Sequence, residues 1–141
     1  MTIKYSIIIP TRNRAEYLPY AIKSVINSPR LDIELIVSNN HSTDETREIL
    51  TKIIDHRVKI SAPEISLSMA GHYEFAISHA KGEWITILGD DDAVMPHIFD
   101  SLDKYICQYP NIDIISSARA YYFWKGCEDL YGKSVVIYRS S

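Results

Sequence analysis

Short β-branched runs alternate along this chain with stretches whose apolar residues recur every three or four positions. That is the pattern of strands interleaved with amphipathic helices. Tyr5 to Ile9 predicts a strand stopped by Pro10. A helix follows from about Ala15 to Asn27, with Leu18, Ile22, Val25 and Ile26 on one face. Pro19 fits only in a first turn, which argues for a later start. Ile33 to Val37 is a second strand, followed by polar loop residues 38–42. Ser42 or Thr43 then caps a helix with Asp44 and Glu45 in its first turn and a buried stripe of Ile49, Leu50, Ile53 and Ile54. Arg57 to Ile60 is a short strand, and Met69 to Ala80 a helix that stops near Gly82. Trp84 to Leu88 is an uninterrupted apolar run, the signature of a central strand buried on both faces. Pro96 opens a helix with Ile98, Phe99, Leu102, Tyr105 and Ile106 inward, ending before Pro110, and Ile112 to Ser116 reads as another strand. Tyr121 to Trp124 and Val135 to Tyr138 are strand-like and could pair as a hairpin around the loop 126–133. The expectation is a single α/β domain, an αβα sandwich with a mainly parallel sheet.

In such a sheet the loops leaving the strands' carboxyl ends open onto one edge, where ligands bind. Three of these loops hold the unusual polar residues: Pro10-Thr11-Arg12-Asn13-Arg14, Asn39-Asn40-His41-Ser42 and Asp90-Asp91-Asp92. Adjacent carboxylates repel by roughly 3 kcal/mol at ~5 Å and an effective dielectric of ~20. A hard cation, Mg²⁺ or Mn²⁺, removes that cost and usually shares such carboxylates with a substrate diphosphate. The plainer alternative is a solvated acidic loop. Arg12 and Arg14 can meet anionic oxygens or stack on a base, and an asparagine amide offers a donor and an acceptor to a pyrimidine edge. Each loop alone is also what an ordinary surface would carry; convergence on one edge is the stronger argument. Neither a Gly-x-Gly-x-x-Gly run nor a Walker-type sequence follows the first strand, which lowers the dinucleotide and P-loop readings.

Bulk properties narrow the classes. The 141 residues suffice for one core, and 46% hydrophobic with 23% charged residues is ordinary for a globular protein. A net charge of −3 gives no support to a nucleic-acid partner. No apolar stretch approaches the ~20 residues of a membrane span, and Ile7-Ile8-Ile9 is too short for a secretory signal. Cys107 and Cys127 lack metal-like spacing, so reduced thiols and a cytoplasmic location are expected.

Other candidates have plainer readings. Glu128 and Asp129 form the only late acidic pair and are weak candidates for a general base; a solvated turn explains them better. His41 could touch a phosphate but reads as a solvent-exposed loop residue without a partner. His72 and His79 share a predicted helix face without a third zinc ligand, so both are expected on the helix surface. Tyr121 to Trp124 could stack an acceptor sugar or meet lipid, with core or a homo-oligomer surface at least as good a reading.

Read together, four segments resemble family 2 glycosyltransferases of the GT-A fold, the Rossmann-like nucleotide-diphospho-sugar transferase type. Ser6 to Arg14 is similar to the family's opening segment. Glu34 to Asp44 resembles its second motif, in which two aspartates usually stand where this chain has Asn39 and Asn40. Ala80-Lys81-Gly82-Glu83-Trp84-Ile85 is similar to the lead-in to the metal strand, and Leu88 to Asp92 with Met95-Pro96 to the DXD-type motif. The resemblance runs from about Ser6 to Ser117. It implies a metal-dependent, inverting transfer of a sugar from a nucleotide-sugar donor, often a uridine diphosphate sugar, to a hydroxyl acceptor. Pro10, Thr11 and Arg12 would lie along the nucleoside, with Asn40 where an aspartate contacts the base. Asp90 would lie near the ribose or diphosphate, Asp91 would lead as metal ligand, and Asp92 would be a supporting one. The family's catalytic domain is considerably longer than this chain, so a truncated or minimal nucleotide-sugar-binding domain over residues 1–141, without the acceptor-binding half, is expected. Two other functions stay open: a nucleotide-sugar-binding module without full activity, and a metal-dependent nucleotidyltransferase.

Overall fold

A computed structural model describes residues 2–116. The chain divides into two compact units, residues 1–99 and 100–141, and the first contains the whole described sheet. The described elements are β1 (Tyr5–Thr11), α1 (Leu18–Ile26), β2 (Ile33–Asn39), α2 (Thr46–Thr51), β3 (Val58–Ser61), α3 (Met69–Ile77), β4 (Trp84–Ile87) and α4 (Ile98–Gln108). The four strands form a parallel sheet in the order β3-β2-β1-β4.

Helices lie on both faces of this sheet. The chain moves in one direction from β1 to β3 and then returns past β1 to β4. Right-handed crossovers therefore place α1 and α2 on one face and α3 on the other. Ala76 of α3 packs with Ile8 and Ile36, which are register partners on β1 and β2. Ile7, Ile9, Leu35 and Val37 alternate to the opposite face, and all six are fully buried. Each stabilises the fold by roughly 2 kcal/mol relative to exposure.

The long-range arrangement corrects several expectations. Pro10 does not end β1, because its ring nitrogen faces the side where pairing to β4 has already stopped. The Ile8 carbonyl accepts from Leu88 N, whereas the Thr11 carbonyl accepts from Asn40 N, so even positions of β1 point toward β4. The last β1–β4 register pair is Ile8–Ile87, and no ladder bond is lost at residue 10. β4 is the edge of the described sheet rather than its centre, with Ile85 50% and Ile87 42% exposed. Its apolar run reflects strand propensity; β1 and β2 are the strands with neighbours on both sides.

Helix ends shift for local reasons. α1 starts at Leu18, which puts Pro19 in its first turn. α2 is only six residues long, and Asp44 rather than Ser42 or Thr43 takes its free Thr46 N–H, at 3.0 Å. Ile54 therefore lies past the helix and is exposed instead of completing a buried stripe. α3 stops at Ile77, where the side chains of Ser78 and His79 bond the Phe75 carbonyl at 2.7 and 2.8 Å. In α4, Phe99 is buried against Tyr5 with ring centroids 5.3 Å apart, but Tyr105 is exposed. Residues 112–116 form no strand, and Ile114 is exposed. The expected strands at Tyr121 to Trp124 and Val135 to Tyr138 lie outside the described residues.

The Lys81-Gly82 step before β4 has a steric cause. Ser6 Oγ donates to the buried Glu34 Oε1 at 2.5 Å and accepts from Gly82 N at 2.8 Å, while Lys81 N donates to Glu34 Oε1 at 2.7 Å. Lys59 closes the group on Glu34 Oε2. Burial pushes the Glu34 carboxyl up, but Lys59, the Ser6 hydroxyl and the Lys81 N–H outweigh it and hold the carboxyl below its usual range. A Cβ on Gly82 would stand 2.6 Å from Ser6 N and 2.8 Å from the Tyr5 carbonyl carbon. Gly82→Ala is therefore expected to cost about 1–3 kcal/mol, read as a lower denaturation midpoint at unchanged slope. A midpoint equal to the parent's would show that β1 yields freely there.

Candidate functional site

Chain order reverses between β1 and β4, so their carboxyl ends bound the crevice where open α/β sheets hold ligands. The loop after β1 is shaped by Asn13, whose left-handed φ of 57° an asparagine tolerates well. Asn13 Oδ1 accepts from Thr43 N at 2.7 Å, and Asn13 N donates to Ser42 Oγ at 2.9 Å. Arg14 N donates to Thr46 Oγ1 at 3.3 Å and Ala15 N to Asp44 Oδ2 at 3.0 Å. These bonds fasten the loop after β1 to the loop after β2. For Asp44, burial acts upward, but the Thr46 hydroxyl and the N–H groups of Ala15 and Thr46 hold the carboxyl below its usual range.

Arg12 and Arg14 stand out from this fastened turn, both exposed. Arg14 Nε lies 3.6 Å from Asp90 Oδ1 across the crevice. Burial pushes the Asp90 carboxyl above its usual range; the Thr11 hydroxyl, the Arg14 guanidinium and the Arg12 N–H offset part of the rise, and Asp91 adds to it. The buried Thr11 hydroxyl sits beside Asp90 without a hydrogen bond of normal geometry, so a polar atom stays unpaired at the crevice floor. Pro10 is buried in β1 one residue earlier.

The second loop is more occupied than its sequence implies. Asn39 Oδ1 accepts from Ser42 N at 3.0 Å. Asn40 is buried; its amide donates to the Leu67 carbonyl at 2.8 Å and accepts from Leu67 N at 2.9 Å. His41, with φ 54°, is exposed as expected but has a partner, for its Nε2 lies 3.0 Å from the Pro63 carbonyl. His72 is buried rather than on the helix surface, with Nε2 2.9 Å from Ser38 Oγ at the end of β2. Burial lowers the His72 pKa, and the Ser38 contact opposes that only in part. Sequence reasoning named Asn13 and Asp44 without giving either a role in joining these loops, and placed His72 on a helix surface. The Asp44 signal was present as a helix-start acid, but its bond to Ala15 needs the tertiary fold.

Asp91 and Asp92 are exposed, in a turn closed by Asp92 N donating to the Gly89 carbonyl at 3.1 Å. Both carboxylates fold back over Gly89, since a Cβ there would stand 2.5 Å from Asp92 Oδ2 and 3.2 Å from Asp91 Oδ1. Among the described residues no three His, Cys, Asp or Glu side chains converge on a closed metal site. An all-oxygen pair suits Mg²⁺ or Mn²⁺, which completes its shell with water and substrate phosphate, so the residues present fit such an ion. Glu128 and Asp129 lie outside the described residues. No helix among the described residues is long and apolar enough to cross a membrane.

Comparison with known proteins agrees with this geometry. The family model "Glycosyl transferase family 2" matches residues 6–131. A curated relative, the GalNAc(5)-diNAcBac-PP-undecaprenol beta-1,3-glucosyltransferase of Campylobacter jejuni, is 33% identical over 102 residues, covering 70% of this chain and 33% of its own length. S. aureus TarS residues 1–349 in complex with UDP-GlcNAc superposes with a TM-score of 0.69 at 23% identity, over 77% of this chain and 32% of that one. The mannosyltransferase PcManGT of Pyrobaculum calidifontis, in complex with GDP-Man and Mn²⁺, gives a TM-score of 0.64 at 21% identity, over 75% of this chain and 33% of that one. These likenesses establish the GT-A type of αβα sandwich. The chain spans less than half the length of the curated relatives compared. It belongs to glycosyl transferase family 2.

Proposed function

We propose that this chain carries the donor site of a glycosyltransferase that moves a sugar from a nucleoside-diphosphate sugar, of which UDP-sugar is the best candidate, to a hydroxyl acceptor with inversion. One observation carries the reading: the β1–β4 crevice brings Thr11, Arg12, Arg14 and Asp90 beside the Asp91–Asp92 carboxylate pair. Cations and unpaired donors suit a nucleoside and its phosphates, while two exposed carboxylates beside them suit the counter-ion of a diphosphate.

Pro10 and Thr11 line the nucleoside side, with the exposed Arg12 and the Asp90-paired Arg14 placed to meet phosphate oxygens or stack on the base. Asn39 and Asn40 bound the base side, Asp90 faces the ribose or diphosphate, and Asp91 with Asp92 would hold Mg²⁺ or Mn²⁺. When bound, that ion supplies charge neutralisation on the diphosphate leaving group. Inversion needs a base to take the acceptor hydroxyl's proton as it attacks the face opposite the diphosphate. That base is unassigned.

Calorimetric titration of UDP into this chain, with and without Mn²⁺, tests the reading. Saturable heat only in the presence of the metal is the expected result. Equal heats in both conditions would overturn the metal assignment, and heat in neither would overturn the donor site in this chain.

A further inference from the structure

Asn40 stands at the mouth of β2, yet its side chain turns away from the β1–β4 crevice toward the segment between β3 and α3. Residues 62–67 of that segment meet the loop after β2 at two inward positions. Pro63 is buried and Leu67 half-buried, whereas residues 64–66 between them are exposed, with Ile65 70% exposed at the tip. Each inward position is the one tethered by the loop after β2. His41 Nε2 meets the Pro63 carbonyl, and Asn40 bonds both backbone groups of Leu67. The next residue, Ser68, caps α3 by accepting from Gly71 N at 3.2 Å. The segment thus begins at the carboxyl end of β3, arches over the same sheet edge and ends where α3 begins.

The Leu67 contact is chemically selective. It needs a donor opposite a carbonyl and an acceptor opposite an N–H, on one short planar group. An asparagine amide supplies both, and the two bonds fix its orientation, because a flipped amide would set N–H against N–H. An aspartate could accept from Leu67 N but would point its other oxygen at the Leu67 carbonyl. Burial and that carbonyl would favour the protonated acid, which restores the missing donor.

We propose that Asn40 is a positioning residue: its amide clamps residues 62–67 onto the end of β2, so that this arch forms a fixed wall on the base side of the nucleotide site. The inference rests on the donor-site reading above and deepens it. It also explains why an amide stands at a position where the resembling motif usually has a carboxylate.

The test compares the parent chain with Asn40→Asp and Asn40→Ala at pH 5.5 and 7.5. Two quantities are read: hydrogen exchange of the amides in 62–68, and the affinity for UDP with Mn²⁺ relative to the parent at the same pH. Asn40→Ala is expected to speed exchange in 62–68 at least about 10-fold and to weaken UDP by a similar factor at both pH values. Asn40→Asp is expected to show both defects at pH 7.5 and to regain most of each at pH 5.5. Fast exchange with parental UDP affinity would overturn the wall, and weak UDP binding with parental exchange would mean a direct contact instead of positioning. A pH-independent Asn40→Asp variant would overturn the donor requirement. A parent that binds no UDP would overturn the donor-site reading and the wall with it, while the exchange data would still decide the clamp.

Discussion

Asp91→Asn is expected to abolish the manganese-dependent part of UDP binding and to leave folding untouched. The substitution keeps the size of the side chain and removes its charge. Outer partners of a metal site already cost 10–100-fold when lost, so removing a direct ligand is expected to weaken the ternary complex by about 100-fold or more. That corresponds to roughly 2.7 kcal/mol. Folding should not register the change, because Asp91 is exposed in a turn held by backbone, and surface substitutions of this kind stay within about 0.5 kcal/mol. Asp92→Asn should have the smaller effect, as the supporting ligand. The measurement is the calorimetric affinity for UDP at fixed Mn²⁺, paired with the melting temperature of each variant. An Asp91→Asn protein that binds both ligands like its parent removes the cation from this turn.

Arg57→Ala should be the most destabilising single change on the opposite edge of the sheet. The Arg57 guanidinium donates to the carbonyls of Ile26, Ser28 and Arg30 at 2.6–2.8 Å and pairs with Asp55 Oδ2 at 2.7 Å. It therefore ties the end of α1 to the start of β3. Its side chain is only 10% exposed, so its loss strands a carboxylate and three carbonyls together. A cost of about 3 kcal/mol follows for a pair of this partial burial. In melting temperature that is about 10 °C for a chain of this size. Arg57→Lys should recover only part, because an ammonium cannot reach three carbonyls and a bidentate carboxylate at once.

The same pair sets an acid dependence. The Arg57 bonds hold the Asp55 carboxyl down at about 2, against burial that acts upward. Its stabilising effect, about 2 kcal/mol, is complete above the unfolded pKa near 4 and is lost as the pH falls from about 4 through about 2. Asp55→Asn should flatten stability across that window. Melting temperatures between pH 2 and 5 decide it, and parallel curves for parent and variant would discard the linkage.

Several features could be read before any coordinates because their causes are local. The apolar run at Ile7 to Ile9, the stripe Leu18, Ile22 and Val25, and the acids after β4 each show their element type in a few residues. The order of those elements was enough to place three polar loops on one sheet edge. The family resemblance rested on the same short segments, and the family match over residues 6–131 agrees with it.

Other features depended on which residues meet across the chain. Trp84 to Leu88 looks as buried as Ile7 to Ile9, yet β1 is flanked by β2 and β4 while β4 is an edge of the described sheet, because the chain reverses direction after β3. Pro10 looks like a stop, yet it continues β1 at a position where no donor was needed. His72 looks like a helix-surface residue until Ser38 arrives from 34 residues away. Asn40 looks like a free base-reading amide until Leu67 takes both of its functions. Periodicity, propensity and charge are properties of neighbours along the chain, and they determined the elements, their order and the chemistry of the edge. Burial and hydrogen-bond partnership are properties of neighbours in space. The crossover directions and strand register set those neighbours, so only the tertiary structure decided which strand is central, which histidine is buried and which polar groups remain for a ligand.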